Sequence, residues 1–178
     1  MFRSGVGFFA LFGLGWWLLA TSAFDGPVRF VAIVVGCVVA LGLMLAARRF
    51  LPPSAGGPFP ADRRRRFAQI NAAQWLLIVV IAMVCNRAGV PVIIPPLIAM
   101  VVGVHFLPLA AVFEQSRLRV PAALLIVAGV AGLAVWLTSG PDETVRLVVG
   151  LISALCLWGM ALWTVTGAAL TAGRDVSA

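Results

Sequence analysis

Residues 67–113 read FAQINAAQWLLIVVIAMVCNRAGVPVIIPPLIAMVVGVHFLPLAAVF. Two apolar runs flank the four residues Asn86-Arg87-Ala88-Gly89. About 20 apolar residues, wound as helix, cross the hydrocarbon core of a bilayer. Asn and Gly are turn residues, and so short a connection forces its two helices to lie antiparallel. The stretch therefore reads as a transmembrane hairpin.

The same pattern continues in both directions. Six spans are expected, at about 6–24, 30–47, 67–86, 90–113, 120–137 and 145–170. Asp25-Gly26-Pro27 marks the turn between the first two, and Ser139-Gly140-Pro141-Asp142 the turn between the last two. The first segment reads as a true span rather than a signal peptide. Its basic region is Arg3 alone, and Gly13, Gly15, Trp16 and Trp17 interrupt its apolar run. The fold class expected is an all-α integral membrane protein, a six-helix bundle built from three antiparallel helical hairpins, in one membrane domain.

Composition agrees. Of 178 residues, 62% are hydrophobic and 11% charged, with a mean hydropathy of +1.09. Soluble domains run about 45–50% apolar and about 25% charged. A soluble globule, a disordered chain and a disulfide-stapled secreted domain are thereby excluded. Without any lysine, no retinal Schiff base can form. With His105 as the one histidine, no bis-histidine haem fits within one chain. Cys37, Cys85 and Cys156 lie singly in separate apolar segments and read as small buried hydrophobes, not as a metal cage or disulfide framework. No nucleotide, zinc-protease or serine-hydrolase motif is present. No catalytic residue, metal site or cofactor is expected.

All thirteen basic residues are arginine, and their placement orients the chain. One side receives Arg3, Arg48, Arg49, Arg63, Arg64, Arg65, Arg66, Arg117, Arg119 and Arg174, ten in all; the other receives Arg29, Arg87 and Arg146. Positive charge marks cytoplasmic loops, so both termini are expected in the cytoplasm. The connection 48–66, rich in Pro, Gly and Arg, falls on that side as the longest loop. The run Arg63–Arg66 serves as a topogenic anchor. The same charge attracts anionic lipid headgroups, at about 1 kcal/mol per residue. No aromatic-interleaved surface accompanies it, so nucleic acid is not an expected partner. Glu114 is expected to meet Arg117 or Arg119 at the interface.

Polar side chains within spans are the functional candidates. On the third span, Asn71, Gln74, Ile78, Ala82 and Cys85 fall on one stripe at helical spacing, with Gln69 opposite. Gln74 on that span and His105 on the fourth are each eight residues from the cytoplasmic end, about 12 Å deep at 1.5 Å per residue. A Gln74–His105 hydrogen bond follows as an expectation. Pro95, Pro96 and Pro108 remove amide donors from the fourth span. Bending or unwinding is expected at both places, with the carbonyl of Val104 freed beside His105. The candidate polar site is thus His105, Gln74, Asn71 and Pro108. Small residues in pairs four apart, Gly36/Ala40, Ala128/Gly132 and Gly150/Ala154, mark places of close helix approach.

The segment Gly103-Val104-His105-Phe106-Leu107-Pro108 is similar to a G-x-H-F-x-P motif of small, uncharacterised bacterial multi-span membrane proteins. Asn71-Ala72-Ala73-Gln74-Trp75 resembles the polar-aromatic element of their preceding helix. The likeness covers spans three and four and implies a small helical bundle, without implying an activity. Arg-, Ala-, Val- and Gly-rich usage without lysine points to a GC-rich bacterium and hence to its inner membrane. Two functions remain open. One is a carrier or channel subunit for a small solute or proton, with its site between spans three and four. The other is a structural or partner-binding subunit, pairing with another copy or another membrane protein, whose polar residues knit helices together.

The arginine split yields a direct test. Cysteine introduced at Gly56 is expected to label from the cytoplasmic side, and cysteine at Gly140 from the opposite side. Labelling of both from one side would remove the six-span topology.

Overall fold

The computed structural model describes residues 3–51 and 61–175. Among these, all regular structure is helical. The helices are α1 (Arg3–Thr21), α2 (Gly26–Phe50), α3 (Ala61–Arg87), α4 (Ile94–Val112), α5 (Arg119–Leu137) and α6 (Asp142–Asp175). Short 3-10 turns, Pro91–Ile93 and Ser116–Leu118, lead into α4 and α5. Five helical segments are long and apolar enough to cross a membrane, and α1 supplies a shorter apolar helix, Gly5–Thr21. The chain is a multi-pass membrane protein of the all-α class.

Three helix ends share one construction. Gly89 follows α3 with φ 72°, Glu114 follows α4 with φ 54°, and Ser139 follows α5 with φ 59°. The next amide in each case reaches back five residues: Val90 to the Cys85 carbonyl, Gln115 to Ala110, Gly140 to Val135, each at 2.9 Å. This is the Schellman motif, which satisfies carbonyls that a helix end leaves free. Within a bilayer or at its edge those carbonyls need such partners. Glycine occupies the left-handed position only once; Glu114 and Ser139 adopt it at a cost.

The connection expected over 48–66 is shorter at both ends. Arg48 and Arg49 belong to the last turn of α2, and Arg63–Arg66 to the first turns of α3. Arginine is a good helix former. At the C-terminus of α2 it complements the helix dipole, as does Asp62 at the start of α3. The Pro/Gly-rich centre of the connection, 52–60, with Gly56, lies outside the described residues.

The prolines of the fourth span also act differently from expectation. Pro95 and Pro96 lie in the first turn of α4, where an amide has no helical acceptor to serve. The break comes just before them, in the 3-10 turn, where the Ile94 amide bonds to the Pro91 carbonyl. α4 then runs without interruption through Pro108 to Val112.

Packing centres on α6. In its most apolar window 56% of residues are buried, against none in that of α3. α6 touches α1, α2, α4 and α5. Helices adjacent in sequence meet except α2 and α3, and the most extensive interfaces join α1 to α6 and α4 to α5. In lipid no hydrophobic force drives helices together, so close fit of small residues must do it. A Cβ at Gly150 would stand 2.6 Å from the Ala20 amide nitrogen and from the Trp16 carbonyl oxygen. A Cβ at Gly103 would stand 2.7 Å from the Ala122 carbonyl. Gly13 leaves the space that the Trp158 indole fills, and that indole donates to the Ala10 carbonyl at 3.1 Å. Trp17 packs over Gly36 and donates to the Ala32 carbonyl at 2.7 Å, clamping α2 to α1. Phe9 and Phe106, centroids 5.8 Å apart, close the contact between α1 and α4. All six residues of the three small pairs are buried.

Gly150 and Gly159 on α6 make a matched test. A methyl group at Gly150 meets backbone that cannot yield, whereas one at Gly159 meets nothing within 4 Å. Gly150→Ala is expected to destabilise by about 1–3 kcal/mol. Gly159→Ala should be neutral or stabilising by up to about 1 kcal/mol. Thermal unfolding of the two variants in one detergent checks the ordering.

Candidate functional site

α3 packs only against α4 and the 3-10 turn that precedes it. The face it presents carries Ile70, Asn71, Gln74, Ile78 and Ala82, all half-buried, and Cys85, which is buried; Gln69 is exposed on the far side. Helical spacing alone selects this stripe, because 3.6 residues per turn align positions three and four apart. Opposite lies His105 of α4, also half-buried. Its imidazole meets the backbone carbonyl of Ile70, one turn nearer the arginine-rich end than Gln74. It also stands edge-on to Phe106, centroids 6.1 Å apart.

The structure thus brings Asn71, Gln74 and His105 to one seam but does not join them. The expected Gln74–His105 hydrogen bond is not formed, and His105 takes a backbone partner instead. Among the described residues, neither Asn71 nor Gln74 has a side-chain hydrogen bond. Pro108 lies on the exposed surface of α4, as does Val104, whose carbonyl loses its helical donor to the proline ring. The seam is consequently a polar strip at the flank of the bundle, open on one side.

The centre is different. Among the described residues the buried polar side chains are Thr21 and Ser153. Most intramembrane hydroxyls bond back to their own helix: Thr21 to Leu18, Ser22 to Leu19, Thr164 to Met160 and Thr166 to Leu162, at 2.6–3.0 Å. Such bonds satisfy a hydroxyl without tying helices together. Ser153 is the exception, fully buried with its Oγ unpartnered. In sequence it resembles the other hydroxyls, and only its burial distinguishes it. The largest fully buried side chains among the described residues are otherwise apolar, with Phe9, Leu125, Leu157, Val145 and Val149 among them.

The second candidate region is the basic rim. Arg63 forms an ion pair with Glu114, joining the start of α3 to the turn after α4. The expectation that Glu114 meets Arg117 or Arg119 is thereby corrected. The left-handed backbone at Glu114 turns its side chain across to α3, while Arg117 lies over the Trp163 ring, 5.1 Å from its centroid. Phe67 and Phe113 meet edge to face beneath the ion pair, centroids 5.7 Å apart. Arg64, Arg65 and Arg66 are exposed. Two depressions on the described surface are lined by Pro27, Val28, Val31 and Ala32, and by Arg63, Arg64, Phe67, Val112 and Phe113. His105 and Gln74 line neither. Among the described residues no three of His, Cys, Asp and Glu gather closely enough to hold a metal ion.

No protein-family model, curated protein or solved structure matches this chain.

His105 and Ser153 are expected to respond in opposite ways to truncation. His105→Ala removes an interhelical bond and should cost about 1 kcal/mol. Ser153→Ala removes an unpaired buried hydroxyl and should be neutral or stabilising. Chemical unfolding in mixed micelles compares them; a larger loss at Ser153 would show that its hydroxyl has a partner.

Proposed function

We propose that the chain is a six-span, non-enzymatic subunit of a bacterial inner membrane, with both termini cytoplasmic, that works by pairing with a second copy through the flank of α3 and α4. One observation carries this reading: the intramembrane amides and imidazole, Asn71, Gln74 and His105, are half-buried at that seam, whereas the buried polar side chains among the described residues are two hydroxyls, Thr21 and Ser153. An unsatisfied polar group in hydrocarbon costs several kcal/mol. Asn71 and Gln74, without bonds of their own, are therefore placed to receive a partner. An amide side chain both donates and accepts, so equivalent amides complement one another across a two-fold axis. Interhelical bonds of this kind contribute about 0.6–2 kcal/mol each. The ten-to-three division of arginines supports the orientation, and the anionic headgroups it attracts offset repulsion between the two basic rims.

Two measurements on protein reconstituted in liposomes test the proposal together. Energy transfer between separately labelled copies is expected at low protein-to-lipid ratio, and Asn71→Leu with Gln74→Leu should weaken pairing about tenfold or more, as loss of one to two amide bonds per copy requires. Proton flux should match empty liposomes. Monomeric behaviour, or flux that His105→Gln abolishes, would overturn it in favour of transport.

A further inference from the structure

The groove at the arginine-rich end of the α3–α4 seam is not explained by helix pairing. It measures about 250 Å³ and is lined by Arg63, Arg64, Phe67, Val112 and Phe113. Its lining exposes apolar atoms only, so Arg63 and Arg64, at the start of α3, contribute their aliphatic stems and keep their charged ends outside the groove. Phe67, Val112 and Phe113 complete this apolar floor, with Phe67 and Phe113 in contact. Such a volume falls below the range of roughly 300–1,000 Å³ that encloses a whole small ligand. A ligand held there would leave most of itself outside.

We infer that this groove is a discrete site for one anionic phospholipid, its phosphate held by Arg63 and Arg64 and the head of one acyl chain laid over Phe67, Val112 and Phe113. Three features select a lipid over a free phosphate. The floor is apolar and aromatic, which a soluble anion does not use. The groove opens where the apolar part of α4 ends, at Val112, the level at which headgroup gives way to hydrocarbon. The bulk that the groove cannot enclose would remain in the bilayer. Arginine suits the headgroup because its planar fork donates two parallel hydrogen bonds to phosphate oxygens. One Arg63 nitrogen is engaged by Glu114, with the side chains of both still well exposed. The remaining donors of the guanidinium stay available to a phosphate, and Glu114 competes with it. This separates the site from the general attraction of the run Arg63–Arg66: Arg65 and Arg66 do not line the groove, so they contribute field but no contact.

The full chain in neutral detergent, titrated with phosphatidylglycerol or with phosphatidylcholine of the same acyl chains and read by native mass spectrometry, tests this. One phosphatidylglycerol is expected to be retained in preference to phosphatidylcholine. Arg63→Gln with Arg64→Gln should weaken it about tenfold or more, from the loss of two charges at the headgroup. Arg65→Gln with Arg66→Gln should weaken it distinctly less. Phe67→Ala should weaken it without any change in charge. Glu114→Gln should strengthen it severalfold by releasing Arg63. Equal losses from the two arginine pairs would overturn the site in favour of diffuse attraction. So would displacement of the lipid by equimolar glycerol phosphate, or equal retention of the two lipids. Unfolding in lipid-free detergent shows whether each variant is folded. Should the Arg63/Arg64 variant fail to fold, Phe67→Ala decides: weaker binding at unchanged charge supports the site, and unchanged binding overturns it. The outcome does not depend on whether copies pair.

Discussion

The close approach of α1 to α6 is the contact on which the rest of the bundle is built. Gly150 lets the backbone of α6 lie against that of α1 at Trp16 and Ala20, and Gly13 makes room for Trp158 from the other side. The indole then ties the two helices with a bond to the Ala10 carbonyl. A membrane offers no hydrophobic gain for such an approach, since lipid tails are as apolar as leucine. Dispersion between closely fitted atoms must supply the attraction, and it falls off within fractions of an ångström. That is why glycines, rather than large apolar residues, mark the central seams. With α1 and α6 joined, α2 is clamped through Trp17 over Gly36, and α5 and α4 follow through Gly132 and Gly103.

Shape-driven packing leaves few tasks for polar groups in the interior. Hydroxyls there, Ser153 excepted, are absorbed by their own helices, which satisfies them without specifying a neighbour. The more demanding groups, two amides and an imidazole, are displaced to α3 and the face of α4 beside it. α3 is correspondingly the helix held by the fewest neighbours. It is fastened at one end through Arg63, Glu114, Phe67 and Phe113, and at the other Cys85 is buried where α3 meets the 3-10 turn before α4. Exposed ion pairs contribute only about 0–1 kcal/mol, so this fastening relies on the aromatic contact below the ion pair and on the lipid around it. The proposed pairing rests on this polar-edged helix.

Much of the architecture was determined by the sequence alone. Apolar run length dictated helices and their number, because backbone in hydrocarbon must satisfy its own hydrogen bonds and a helix is the local way to do so. The arginine distribution and the polar stripe of α3 were likewise legible, since they depend on position along the chain and a fixed 3.6-residue period. Tertiary structure decided what one-dimensional spacing cannot carry. It chose α6 as the hub and α1, far away in sequence, as its closest companion, because mutual fit between surfaces has no local signature. It sent Glu114 to Arg63 instead of its near neighbours, through a left-handed residue whose conformation no side chain there announces. It gave His105 a backbone carbonyl rather than Gln74, since a depth estimate from helix rise says nothing of where two side chains point. It placed Pro95 and Pro96 at a helix start, where the same rings that would break an interior are harmless. And it left Asn71, Gln74 and His105 half-buried at the α3–α4 seam rather than in the middle of the bundle, a distinction that depends entirely on which faces the neighbouring helices cover.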